Sequence, residues 1–182
     1  MKPTKTGSVQ RIALIVSGAL TAGICLVMNL YLIPAIEKNA GGLRVFDMRS
    51  FGYTPEEGRA FLSALTEEGT RLYLTRQLPL DLLYPVAYTL FFVLLLGVLL
   101  KKHRALRFCP LLLTAADLTE NVCLFRLLGQ GTGSDALLTV ASTATVVKTA
   151  LMTAVFVLIL VLLVMRLLDR KKQKDLAKKE NV

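Results

Sequence analysis

Asp117, Glu120 and Asn121 lie in AADLTENVCLFRLL, residues 115–128, within a run that is otherwise apolar from Leu106 onward. Their i, i+3, i+4 spacing, continued by Leu124, places them on one face of a helix. Two acids sharing a buried face could serve as general acid and base. Asp117 and Glu120 are therefore the candidate catalytic pair, and isomerisation or proton transfer on an apolar substrate is the chemistry they would support. The same face could instead line a ligand pocket or form part of an ion pair that fixes helix neighbours. No nucleophile motif, phosphate loop or metal set accompanies it. Cys25, Cys109 and Cys123 form no C-x-x-C pair, and the single histidine, His103, stands between Lys102 and Arg104. Thiol redox chemistry is not expected, and neither a metal nor a cofactor is called for.

One amine stands within reach of these acids: Lys148, inside the apolar run 136–165. Left facing lipid, each such ionisable group would cost about 2.5 to 3.5 kcal/mol, so all three should face inward. A rise of about 1.5 Å per residue, counted from the outer end of each run, puts Lys148 about 18 Å deep and Asp117 about 16 Å deep. Glu120 and Tyr88 come out near 12 Å and Asn29 near 10 Å by the same approximate count, with Asp81 and Tyr84 closer to the outer mouth. Four helices thus contribute to one polar layer. Its expected core is an Asp117/Lys148 pair, with Glu120 and Asn121 bonded to that pair or to the tyrosines and Asn29. The candidate ligand-binding set is Asn29, Asp81, Tyr84, Tyr88, Asp117, Glu120, Asn121 and Lys148. Pro85 is expected to loosen the second helix beside Tyr84 and Tyr88, and Arg126 to reach the headgroups or pair with Asp81.

The elements that must position these residues are four apolar runs, 12–36, 81–100, 106–128 and 136–165. Each is long enough, at about 20 residues, to cross a bilayer as a helix. The chain has 182 residues, 54% of them hydrophobic, and a mean hydropathy of +0.56. It reads as an all-α polytopic membrane four-helix bundle, a single domain over 1–165 with a basic tail over 166–182. The first run, roughly 25 residues without a closing A-x-A site, reads as a retained anchor rather than a cleaved signal. The formal net charge of +9 is concentrated at particular helix ends. Lys2, Lys5 and Arg11 precede the first run, Lys101, Lys102, Arg104 and Arg107 separate the second and third, and Arg166 to Lys179 follow the fourth. That placement predicts cytoplasmic N- and C-termini. The tail has no interleaved aromatic residues, so no nucleic acid partner is expected, and the partner it suits is the membrane lipid surface.

The segment between the first two runs carries a helix signal over about 55–68. Thr54 can cap, Pro55 suits the first position, and Glu57 completes a capping box, with Gly69 as the expected stop. Before it, LRVFDMRSFGY mixes Phe46, Phe51 and Tyr53 with Asp47 and Arg49, a composition suited to an ordered loop at the interface. The loop and helix read either as a lid over a site or as a structural plug.

With DLLYP at 81–85, DLTEN at 117–121 and FDMRSFGYTPEEG at 46–58, the chain resembles a family of uncharacterised bacterial four-span membrane proteins. The likeness covers most of residues 43–128 and implies a multi-pass protein of the bacterial cytoplasmic membrane, with a shared outer loop and no assigned activity. It also resembles in architecture the four-helix EXPERA group of sterol isomerases and sigma-2-like ligand-binding proteins, which carry acidic residues in a membrane cavity. That likeness would make Asp81, Asp117 and Glu120 the analogous acids. The chain departs from the group in having no tryptophan, a long first outer loop and a buried lysine.

The expected function is binding of a lipid-like, apolar or amphipathic small molecule in an outer-half pocket. The alternative is a structural or assembly subunit with a buried ion pair. An isomerase-type enzyme and a proton-coupled transporter follow behind these, the latter because the cytoplasmic half of every run is almost uninterrupted Leu, Val, Ile and Phe. Enzymatic activity and oligomeric state are left open by the sequence.

Overall fold

Prolines punctuate the first two spans without ending them. In the computed structural model, which describes residues 5–100, 103–130 and 134–180, α1 (Lys5–Val27) runs through a wide turn at Met28–Leu32 into α2 (Ile33–Asn39). A short 3-10 turn at Phe46–Met48 and α3 (Pro55–Ala64) follow. Then come α4 (Glu67–Leu72), a second wide turn at Tyr73–Gln77, and α5 (Leu78–Leu99). A 3-10 turn at Arg104–Phe108 leads to α6 (Pro110–Gln130), and α7 (Asp135–Glu180) closes the chain.

Each wide turn is π-helical and ends one residue before a proline-containing step. Ile33 N–H reaches back five residues to the Met28 carbonyl just before Pro34, and Leu78 N–H reaches back to Tyr73 just before Pro79. A proline ring clashes with the carbonyl four residues earlier and offers that carbonyl no donor, and a π turn accommodates both without breaking the helix. The two π turns also touch one another in space.

The fold is the expected all-α four-helix bundle. Four stretches, Ser8–Asn39, Glu67–Leu99, Arg104–Gln130 and Asp135–Gln173, are long and apolar enough to cross a membrane. Large apolar side chains such as Ile15, Leu83, Leu112, Phe125 and Leu160 point outward from them, more than half exposed. Such a surface is stable only against lipid or another apolar partner.

Two boundaries differ from the sequence expectation. The helix expected over 55–68 ends at Ala64, because Leu65 is extended (ψ 121°) and Thr66 accepts a hydrogen bond from Gly69 N–H at 3.1 Å. TEEG, read as a stop, is therefore a start: Thr66 caps α4, and the second span begins at Glu67 rather than at Asp81. A Cβ on Gly69 would sit 2.7 Å from Asn39 Cβ. That close approach lets Thr66 N–H and Oγ1 donate to the Asn39 carbonyl and side-chain oxygens, tying the ends of the first two spans together. The capping box itself forms as expected, with Thr54 and Glu57 bonded reciprocally. The backbone of α7 continues as helix to Glu180, so position 166 is no break.

Packing runs as an open arc. α1 lies along α5, α5 against α6 and α6 against α7, while among the described residues no packed interface joins α7 to α1. The core divides into two apolar clusters. One lies at the loop end, around Phe46, Phe61, Tyr73, Leu124 and Leu138, and the other lies toward the chain termini, around Phe92, Leu96, Leu113, Val155 and Ile159.

Candidate functional site

Lys148 stands between the two apolar clusters. On α7 the short side chains of Ala141, Ala144 and Thr145 are buried on its face, so the helix approaches α6 closely and the lysine stem points inward. Its Nζ lies 2.5 Å from Glu120 Oε2, 2.8 Å from Asp47 Oδ1 and 3.4 Å from Asp117 Oδ1. An ammonium group has three N–H donors, and here it faces three carboxylates. The side chains of all four residues are no more than 15% exposed.

A second tier holds the carboxylates in place. Tyr88 donates to Asp117 at 2.9 Å, Thr145 to Glu120 at 2.5 Å, and Tyr73 to Asp47 at 3.3 Å. Asp81 accepts from Gln77 Nε2 at 2.9 Å. Asn121 donates to the backbone carbonyl of Asp81, also at 2.9 Å. That carbonyl would be the helical acceptor for Pro85, which has no N–H, so Asn121 supplies the missing donor from the neighbouring span.

Asp117, Glu120 and Lys148 meet, and Tyr88 joins them through Asp117, whereas Asn121, expected on that pair, the tyrosines or Asn29, bonds to the Asp81 carbonyl instead. Asp47 was not among the expected site residues. It arrives from the loop between the first two spans, which dips along α7. Tyr53 N–H bonds to Ser142 Oγ at 2.8 Å, and Gly52, at φ +86°, leaves no room for a Cβ against Ser142 Oγ, 2.9 Å away. Phe46, Tyr53 and Phe61 pack ring on ring, with centroids 4.8 to 4.9 Å apart, and hold the loop there. The sequence signal was the density of aromatics around one aspartate; its partner could not be named without the tertiary path. Burial, with Glu120 and Asp47 nearby, pushes the Tyr53 phenol well above its ordinary range.

Three other expectations change. Asn29 does not enter the polar layer: it is exposed at the rim of the adjoining cavity and donates to Cys25 O at 2.9 Å. Local bonding satisfies its amide, while Ile24 and Met28 take the buried face. Asp81 is not near the mouth; with the span starting at Glu67, it lies level with Asn121 and is buried. Arg126 is exposed and does not pair with Asp81, whose side chain is held by Gln77. Tyr84 lines the cavity and packs edge-on against Tyr88, centroids 5.1 Å apart.

The oxygens of Asp47, Asp117 and Glu120 lie within 4.8 Å of one another, close enough to surround a cation. The Lys148 ammonium takes that central place. Beside the cluster is a cavity of about 400 Å³. Its lining includes the polar side chains of Asp47, Gln77, Asp81, Asp117 and Lys148 and the apolar ones of Met28, Ile33, Met48, Met152 and Phe156. Both π turns border it, through Met28 and Asn29 on one side and Gln77 on the other. Its walls come in part from the first span and from α7, the two helices that do not pack together.

Compared with known protein families, with curated proteins and with solved structures, the chain has no significant match in any of the three.

Proposed function

We propose that this protein is a multi-pass membrane protein that binds an amphipathic, lipid-like small molecule in the cavity between its first and last spans. The observation that carries the reading is a cavity lined by both charged and apolar side chains, in part from the first span and α7, between which there is no packed interface among the described residues. A preformed, mostly apolar pocket with a few fixed polar groups is what small-molecule sites generally look like. The gap would let a tail enter from the membrane while the head reaches Asp81 and Lys148. By the positive-inside pattern the loop end and cavity would face away from the cytoplasm, and the resemblance to bacterial four-span proteins would make the membrane the bacterial cytoplasmic one.

The test is native mass spectrometry of the purified protein. Met152→Trp adds bulk to the apolar lining and is expected to release a co-purifying molecule, whereas Leu160→Trp, on an outward-facing position of the same helix, is expected to retain it. Equal occupancy in both variants, or an empty wild-type protein, would overturn the reading.

One observation favours a second, structural reading. The Lys148 cluster joins the loop, α6 and α7, as expected of a subunit whose ion pairs fix its architecture for assembly. Crosslinking at native expression levels separates the two, since a monomer carrying ligand supports the first and a constant protein partner with an empty cavity supports the second. Isomerase-type chemistry has less support, because Asp117 and Glu120 are both engaged by Lys148. Proton-coupled transport has less support because the Phe92, Leu96, Leu113, Val155 and Ile159 cluster fills the bundle below the polar layer.

A further inference from the structure

We infer that the cavity recognises its ligand through a positively charged nitrogen, taking a long-chain ammonium amphiphile whose head lies between Asp81 and Gln77. This rests on the amphiphile-binding reading and adds the sign and place of the head group.

The first argument is charge. Asp47, Asp117 and Glu120 share the Lys148 ammonium, whose three donors are matched by three carboxylates. Asp81 lines the same cavity, is 5% exposed, and forms no ion pair among the described residues. Four carboxyl groups thus face one amine. Burial without a counter-charge disfavours the ionised form of such a carboxyl group, and the cavity supplies the space in which a cation could stabilise it.

The second argument comes from the amide beside Asp81. Gln77 is 1% exposed and lines the cavity; its Nε2 is committed to Asp81, while its Oε1 is a buried acceptor with no donor. Turning the amide over would set its oxygen against the Asp81 carboxylate and strand the N–H groups instead. Asp81 and Gln77, which both line the cavity, thus carry a carboxyl group without a cationic donor and a buried amide oxygen without any donor. An ammonium group supplies several N–H donors and one positive charge.

The third argument selects an amphiphile over a bare ion. A metal ion would answer the oxygens but leave the wall of Met48, Met152 and Phe156 empty, whereas an alkyl chain would cover it. A carboxylate or phosphate head would meet Asp81 and Asp47 as like charges.

The experiment uses the full chain in nanodiscs of neutral lipid and three probes of equal chain length, dodecylammonium, dodecanol and dodecanoate, with saturable binding read by isothermal titration calorimetry. Dodecylammonium is expected to bind about tenfold tighter than dodecanol, the order expected of a buried charge-assisted hydrogen bond. In Asp81→Asn, which keeps the acceptor for Gln77, the two should agree within about twofold, with dodecanol binding unchanged, since only the charge-assisted part is removed. Gln77→Met, which keeps the Asp81 charge, should lower the ammonium preference in part, and it serves as the test if Asp81→Asn does not fold. Dodecanoate binding as tightly as dodecylammonium would overturn the inference. So would a preference that survives Asp81→Asn, which would mean that the Asp81 carboxyl is not its source. Dodecanol binding without any ammonium preference overturns the head-group inference alone; no saturable binding of any probe overturns the amphiphile reading with it.

Discussion

Asn121 donates its side-chain amide to the Asp81 carbonyl, the acceptor that Pro85 leaves without a backbone donor. Two motifs on different spans, DLLYP and DLTEN, are thereby parts of one device, with a proline opening an acceptor and an asparagine closing it. Removing the amide should cost about 1 to 3 kcal/mol, the penalty for a buried polar group left unpaired. Asn121→Leu is therefore expected to lower the melting temperature, and the loss should shrink in a Pro85→Ala background, where the backbone N–H restored at position 85 can bond the same carbonyl. A double-mutant cycle on thermal melts followed by circular dichroism measures the coupling, and additive losses would show that the two residues act separately.

Lys148 is the single amine of a cluster in which no side chain is more than 15% exposed. Lys148→Met keeps most of the side-chain volume and strands three carboxylates, so it should destabilise the fold by about 3 to 5 kcal/mol. Adding Asp47→Asn and Glu120→Gln to that variant is expected to recover much of the loss, because the charges left without a partner are then removed. The same melts measure both steps, and a triple variant no more stable than Lys148→Met would contradict the account.

Gly52 combines φ +86° with a Cβ position 2.9 Å from Ser142 Oγ. Gly52→Ala should cost about 1 to 3 kcal/mol in local strain and contact, and it should loosen the loop that carries Asp47. Hydrogen exchange reads this directly. The Tyr53 amide, which donates to Ser142 Oγ at 2.8 Å, is expected to exchange faster in Gly52→Ala, with amides of α6 far from the loop unchanged.

The proposed orientation is checked by single-cysteine labelling in a chain whose native cysteines are replaced by serine. Ser63 on α3 and His103 between the second and third spans are both exposed, at opposite ends of the bundle. With a membrane-impermeant maleimide, Ser63→Cys should label on intact cells whose outer face is accessible, and His103→Cys only after permeabilisation. The reverse pattern would invert the topology.

Amino-acid order alone determined the four spans and the inward-facing acids of the third. Apolar length and the cost of charge in lipid act on each helix separately, so Asp117 and Lys148 could be matched in level before any fold was known. The capping box at Thr54 is equally local and formed as expected. Tertiary structure decided what depends on where separate segments meet. Asp47 became a partner of Lys148 only because an aromatic-packed loop descends along α7. Asp81 changed depth because Thr66, bonded to Asn39, starts the second span earlier than its apolar residues indicate. The cavity itself depends on the lack of a packed interface, among the described residues, between the first span and α7. No periodicity within a helix encodes which neighbour that helix lacks, because that is set by the sum of the packing along the other three interfaces.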